Sequence, residues 1–209
     1  DPTCEAALVG DLGAGGADAG DLRELLAAPD LRPGILGLLL SRDLPDARLI
    51  AADLEGLEPD APRLRADYVG SVPAFCRLAP DALESPLGVR FDLVDRIAPA
   101  RQRTNDLELI DAGFPVHWRR DVQIGLSGSW SWTEWPEPVR LTSPFGMFSL
   151  EVRPEGGMLH VSVDLTIPVL RVDADQYDAF RTFLSRVDAA LDAVAKAVRG
   201  GIGTTDEHR

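Results

Sequence analysis

The feature that most constrains this chain is a strict two-residue alternation on either side of a glycine-bearing turn. Leu159, Val161, Val163, Leu165 and Ile167 alternate with Met158, His160, Ser162, Asp164 and Thr166. Upstream, Phe148, Leu150 and Val152 keep one parity as far as Pro154-Glu155-Gly156-Gly157. Successive side chains on a strand point to opposite faces, so each run buries one face and wets the other. Two such runs joined by a glycine-containing turn predict an antiparallel hairpin with one solvated side.

The same rule finds further strands. Val116, Trp118, Val122, Ile124 and Leu126 share one parity. Leu64, Ala66 and Tyr68 alternate with Arg63, Arg65 and Asp67, which predicts a half-buried strand over residues 63–69. Residues 4–10 and 47–54 read as strands as well. Residues 72–113 carry Pro73, Pro80, Pro86 and Pro99, so short strands and long connections are expected there.

Helical spacing appears at both ends. After the glycine-rich stretch 10–20, read as a turn, Asp18 begins a helix with Leu22, Leu25 and Leu26 on one side. Pro29 and Asp30 stop it. Pro33 suits the first turn of a second helix over residues 31–42, with Ile35, Leu38 and Leu39 buried. Near the C-terminus, Tyr177, Phe180, Leu184, Val187, Leu191, Val194 and Val198 recur at spacings of three and four, a continuous apolar stripe. Asp173 is the expected N-cap, Gln176 its capping-box partner, and Arg199-Gly200-Gly201 the stop. A helix over 174–199 is predicted, roughly 36 Å long at ~1.5 Å per residue from Gln176. Its stripe fits the chain's own sheet better than a partner helix, because Tyr177, Phe180 and Phe183 are bulky for a coiled-coil seam. The expected fold is α+β: an antiparallel β-sandwich or curved sheet with two short N-terminal helices and a long C-terminal amphipathic helix. One domain is expected over residues 1–200, followed by a polar tail, 201–209.

Charge excludes some functions. The 209 residues carry a formal net charge of −13, and Lys196 is the only lysine. Such a surface repels phosphate backbones, so nucleic acid and anionic membrane are not expected partners. No apolar run approaches the ~20 residues that span a bilayer. The chain starts at Asp1, as a processed product or excised segment would; an exported or periplasmic location is the first expectation, and a cytoplasmic one the alternative.

The residues that usually carry chemistry are sparse. A thiol nucleophile needs a histidine within reach and a group to orient it. Cys76, His117 and Asp121 are the available set, but Cys76 and His117 both sit in strand-like runs. Cys4 and Cys76 are expected to be unpaired, part-buried thiols; pairing would add roughly 3–4 kcal/mol in an oxidising compartment. Asp53, Glu55, Glu58 and Asp60 lack the spacing of a calcium loop. After Gly13 and Gly15, Asp18 stands where a phosphate loop has glycine. No metal and no cofactor are expected. The run Ser129 to Trp135 does offer a ligand surface: Trp130 and Trp132 share a strand face, with Trp118 and Trp135 near, and could stack sugar rings or a peptide.

The segment SPFGMFSLEVRPEGGMLHVSVDLTIPVLRVDADQYDAFRTFLSRVD resembles the end of bacterial transglutaminase-like proteins. The corresponding residues are Phe145-Gly146, the Gly156-Gly157 turn, and Tyr177, Phe180, Arg181 and Phe183. GAGGADAGDLRELL, LPDARLIAADLEGL and RADYVGSVPAF are similar to the earlier part of the same C-terminal region. The resemblance implies a non-catalytic accessory domain, without a Cys-His-Asp triad of its own. It would pack on or orient a papain-like core carried elsewhere, with protein as its partner. The alternative is a carbohydrate- or peptide-binding module built on Trp118, Trp130, Trp132 and Trp135.

Overall fold

The alternating runs form the hairpin they predict. Strands at Gly146–Glu155 and Met158–Ile167 pair from Met147↔Thr166 to Glu155↔Met158. Gly156 and Gly157 close the hairpin with φ of +60° and +83°. Positive φ at both central residues matches the twist of the flanking strands, and glycine reaches it without a Cβ clash.

The computed structural model describes residues 5–15, 17–44, 46–61, 63–79, 82–126 and 129–199. Numbered in chain order, the strands are β1 (Ala6–Gly15), β2 (Arg48–Glu55), β3 (Arg63–Val72), β4 (Arg77–Leu78), β5 (Leu83–Pro86), β6 (Leu107–Glu108), β7 (Val116–Leu126), β8 (Trp130–Glu134), β9 (Val139–Ser143), β10 (Gly146–Glu155), β11 (Met158–Ile167), β12 (Arg171–Val172) and β13 (Val194–Arg199). The helices are α1 (Ala17–Leu26), α2 (Arg32–Asp43), α3 (Leu93–Ile97) and α4 (Tyr177–Leu191). The class is α+β, with antiparallel sheets, short N-terminal helices and a longer helix towards the C-terminus.

A seven-stranded sheet runs β2-β3-β1-β7-β11-β10-β9, and a four-stranded sheet runs β4-β5-β13-β8. β1 lies in the middle of the larger sheet, hydrogen-bonded to β3 on one side and β7 on the other. Apolar parity puts Leu8, Tyr68, Val122, Ile124, Val161, Val163, Leu150 and Val152 on one buried face. At the β2–β3 end, Leu26 of α1 and Leu36 of α2 cover Leu64 and Ala66. The rest of that face is covered by the main core, to which α4 contributes.

The residues that carry the family resemblance are packing residues. Phe180 meets Phe145 edge-on, with ring centroids 5.3 Å apart. The Tyr177 hydroxyl donates to the Ala100 carbonyl at 2.8 Å, and Arg181 Nε donates to the Ala98 carbonyl at 3.2 Å, so α4 pins the segment after α3. Gly146 is required by close approach. A Cβ there would lie 3.2 Å from Ile167 Cα and nearer still to the Thr166 carbonyl oxygen.

Several local expectations are corrected. The C-terminal helix stops at Leu191, not 199; Tyr177, Phe180, Leu184, Val187 and Leu191 form its buried stripe, but Val194 and Val198 belong to β13. The spacing of three and four continued by coincidence across the turn. In β13 the buried side chains are Ala195 and Ala197, and the strand fills the gap between β5 and β8, bonding to both. Pairing two strands that would otherwise be edges outweighs the helix propensity of an alanine-rich run. The capping box does not form: Asp173 makes no side-chain cap bond, and the Ala174 N–H donates instead to Asp106 Oδ1 at 2.8 Å. The glycine-rich stretch is not a turn, since β1 continues to Gly15. Gly10 is there for space: a Cβ would meet Tyr68 Oη at 2.7 Å and the Asp121 carbonyl oxygen at 2.8 Å. In α2 the buried residues are Leu36 and Leu40, while Leu38 is 74% exposed. The expected tail, 201–209, lies outside the described residues. No helix among the described residues is long and apolar enough to cross a membrane.

Candidate functional site

The four tryptophans do not form one platform. Trp118 is on β7 in the seven-stranded sheet, part-buried against Phe91 at 5.4 Å and Phe114 at 6.4 Å, with the Arg96 guanidinium 5.9 Å from its ring centre. Trp130 and Trp132 are on β8 at the edge of the four-stranded sheet. Trp132 packs against the main core, and Arg199 lies over Trp130 at 5.7 Å. Trp135, just past β8, is 40% exposed.

The residues considered for thiol chemistry are engaged separately. Cys76 is disulfide-bonded, which corrects the expectation of unpaired thiols; the chain's other cysteine, Cys4, lies outside the described residues. A disulfide sulfur is not a thiolate, so Cys76 is not a nucleophile in this state. His117 Nε2 lies 3.0 Å from Asp164 Oδ2. Asp121 accepts from Arg119 Nε at 2.8 Å and from the Ser162 hydroxyl at 2.5 Å. His208 lies outside the described residues. Asp53 and Glu55 are at the end of β2, with Glu58 and Asp60 in the turn that follows. Among the described residues no group of three or more His, Cys, Asp or Glu is arranged to hold a metal ion.

What the structure does assemble is the outer face of the seven-stranded sheet. Directly paired residues of antiparallel strands project to the same side. The register therefore aligns Asp53, Asp67, Asp11, Asp121, Ser162 and Glu151 in one row across β2, β3, β1, β7, β11 and β10. Beside it lies a depression of about 600 Å³, whose lining includes Val9, Asp11, Arg65, Arg119, Gln123 and His160. Arg65 binds Asp67 at 2.8 Å and Arg119 binds Asp121 at 2.8 Å, each two residues along its own strand. Asp11 sits between them with its side chain only 18% exposed and Arg65 Nε at 4.0 Å. Burial raises its carboxyl above the usual range, and the negative charge of Asp121 adds to the rise. The alternation gave away that Asp67 and Asp121 were on wet faces. It gave no register between distant strands, so the row was not visible in the sequence.

Two other polar clusters among the described residues tie elements of the fold together. Asp188 on α4 accepts the Leu93 and Val94 N–H groups, both at 2.9 Å, and so caps α3 from a distant helix. Asp106 accepts from Ala174 and pairs with Arg171, tying the start of α4 to the strand pair β6–β12.

Residues 91–193 match a domain family of unknown function, DUF3858. The DUF3858 match covers a little under half of the chain, from just before α3 to the turn after α4. It contains the β10–β11 hairpin, Phe145-Gly146 and the Tyr177 to Phe183 stretch, but leaves β1, β2, β3 and β13 outside. The polar row is therefore shared: Asp121, Ser162 and Glu151 fall within the DUF3858 segment, and Asp11, Asp53 and Asp67 do not. No curated protein and no solved structure matches the chain.

Proposed function

We propose that this chain is a non-catalytic interaction domain that packs on, orients or gates a catalytic core carried elsewhere. The observation that carries this reading is the two-sidedness of the seven-stranded sheet. One face is filled by the main core, and the other presents a shaped polar surface beside a depression of about 600 Å³. On that surface His117 is hydrogen-bonded to Asp164 and Asp121 is ion-paired with Arg119, and Cys76 is in a disulfide, so the groups that chemistry would use are occupied in structure. The resemblance of Phe145-Gly146 and of Tyr177, Phe180, Arg181 and Phe183 to the accessory domain of transglutaminase-like proteins suggests the kind of core, a papain-like one. All of these residues lie within the DUF3858 segment.

The test is sedimentation velocity of the chain mixed with a papain-like core produced separately from the same gene. A complex heavier than either part is expected, with no acyl transfer or hydrolysis by the chain alone. Independent sedimentation, turnover by the chain alone, or a gene that encodes no such core contradicts the reading. A second reading, a glycan- or peptide-binding module, draws on the exposure of Trp135 beside the β8 edge. Unchanged glycan and peptide binding after Trp130→Ala and Trp132→Ala, or none in the parent, removes it.

A further inference from the structure

Building on the interaction-domain reading, we propose that the outer face of the seven-stranded sheet is the docking surface, and that what docks there is an arginine- or lysine-bearing protein surface. The face is assembled by strand register, not by a local run of acids. Asp53, Asp67, Asp11 and Asp121 come from four consecutive strands and oppose one another directly. Opposed side chains in antiparallel pairs sit roughly 5 Å apart, and like charges there destabilise the sheet. The chain's own cations relieve this only in part. Arg65 and Arg119 bond to Asp67 and Asp121 on their own strands, and Arg65 Nε also comes within 4.0 Å of Asp11, which still lies between two carboxylates.

The second observation is apolar. Val9 and Val69 oppose each other one row away from the acids, near the centre of the sheet, yet are 39% and 38% exposed. Beyond Val9, Ala7 opposes Gly125, and the Met158 side chain lies close to Gly125, so the apolar surface continues. Apolar side chains beside a carboxylate row fit the anatomy of an arginine: the methylene stem lies on the valines and the guanidinium forks onto the acids. Charge selects the class of partner. Asp53, Asp67, Asp11, Asp121 and Glu151 outnumber the flanking Arg65, Arg119 and Arg153, on a chain of net charge −13. A phosphate backbone is repelled by the same sign.

The test uses the whole chain and a fluorescein-labelled oligo-arginine peptide, followed by fluorescence anisotropy at physiological salt. Asp11→Asn/Asp67→Asn/Asp121→Asn removes charge from the centre of the row. Asp95→Asn/Glu137→Gln/Asp175→Asn removes the same charge from α3, the β8–β9 loop and the segment before α4. The first set is expected to weaken binding at least about tenfold and the second less than about twofold. Asp53→Asn/Glu151→Gln, at the ends of the row, is expected to lie between them, and serves if the central variant fails to fold. Equal weakening by face and control variants, or no peptide binding by the parent, overturns the proposal. So does calcium binding at the row without peptide binding. Sedimentation with the papain-like core separates the two levels: a complex that survives the central variant refutes this surface alone, whereas no complex with the unaltered chain refutes the interaction-domain reading itself.

Discussion

Asp188 offers a sharp test of how the C-terminal helix holds the fold. Its carboxylate accepts the N–H groups of Leu93 and Val94 at 2.9 Å each, so α4 caps α3 across about half the chain. A hydrogen bond to a charged acceptor is worth about 1.5–3 kcal/mol, but burying the carboxylate offsets part of that. Measured N-caps contribute about 0.5–2 kcal/mol. Asp188→Ala, which leaves both N–H groups without the carboxylate, is expected to cost about 2 kcal/mol. Asp188→Asn retains one acceptor and should cost about 1 kcal/mol. For a chain of this size each kcal/mol moves Tm by about 2–4 °C, so the alanine variant should melt about 4–8 °C lower. Urea unfolding is the assay, with an unchanged denaturant slope showing that stability alone has moved. An alanine variant within about 0.5 kcal/mol of the parent would refute the cap.

The same residue fixes a pH dependence. Burial raises the Asp188 carboxyl above its ordinary 3.8, against the lowering by the Val94 and Leu93 N–H groups, and Asp92 and Asp192 add to the rise. The folded chain then binds this proton more tightly than the unfolded chain. The group's contribution to stability is therefore greatest at low pH and declines as pH rises through the folded value. The stability difference between the parent and Asp188→Asn should widen in the parent's favour on acidification from neutral pH towards the region just above 3.8. A difference that narrows over that window contradicts the assignment.

Gly146→Ala forces a Cβ against the Thr166 carbonyl, and the β10–β11 pairing cannot yield freely, so a loss of about 3 kcal/mol in urea unfolding is expected. Cys76→Ser should cost about 3–4 kcal/mol and make the remaining stability insensitive to dithiothreitol. Trp132→Ala, which empties a position against the core, should cost about 3 kcal/mol, whereas Trp135→Ala should stay within about 0.5 kcal/mol.

The elements that were legible in the sequence are those whose signal is local. The β10–β11 hairpin, β7 and the first five stripe residues of α4 follow from parity or from spacing, because each buries a face within one short run. β13 was hidden because its strand character comes from β5 and β8, which flank it in space and not in sequence. The cap at Ala174 was misassigned for the same reason: the nearby Asp173 is a good N-cap residue, but Asp106 occupies the site. The tryptophans looked like one cluster because three are adjacent in the chain, yet Trp118 belongs to a different sheet from Trp130 and Trp132. The acidic row depends on register across six strands. A single sequence does not encode that register visibly, because a slip of one residue exchanges the two faces of a strand.

The most direct measurement of the central claim is carboxyl labelling with mass-spectrometric readout, on the chain alone and mixed with the papain-like core proposed as its partner. Asp67 and Asp121 have side chains 49% and 40% exposed, so both react in the free chain. The account predicts that binding protects Asp67, Asp121 and Glu151 while Asp95, Glu137 and Asp175 keep their reactivity. Equal labelling of the row in the free and bound chain, or protection confined to the three control positions, contradicts it.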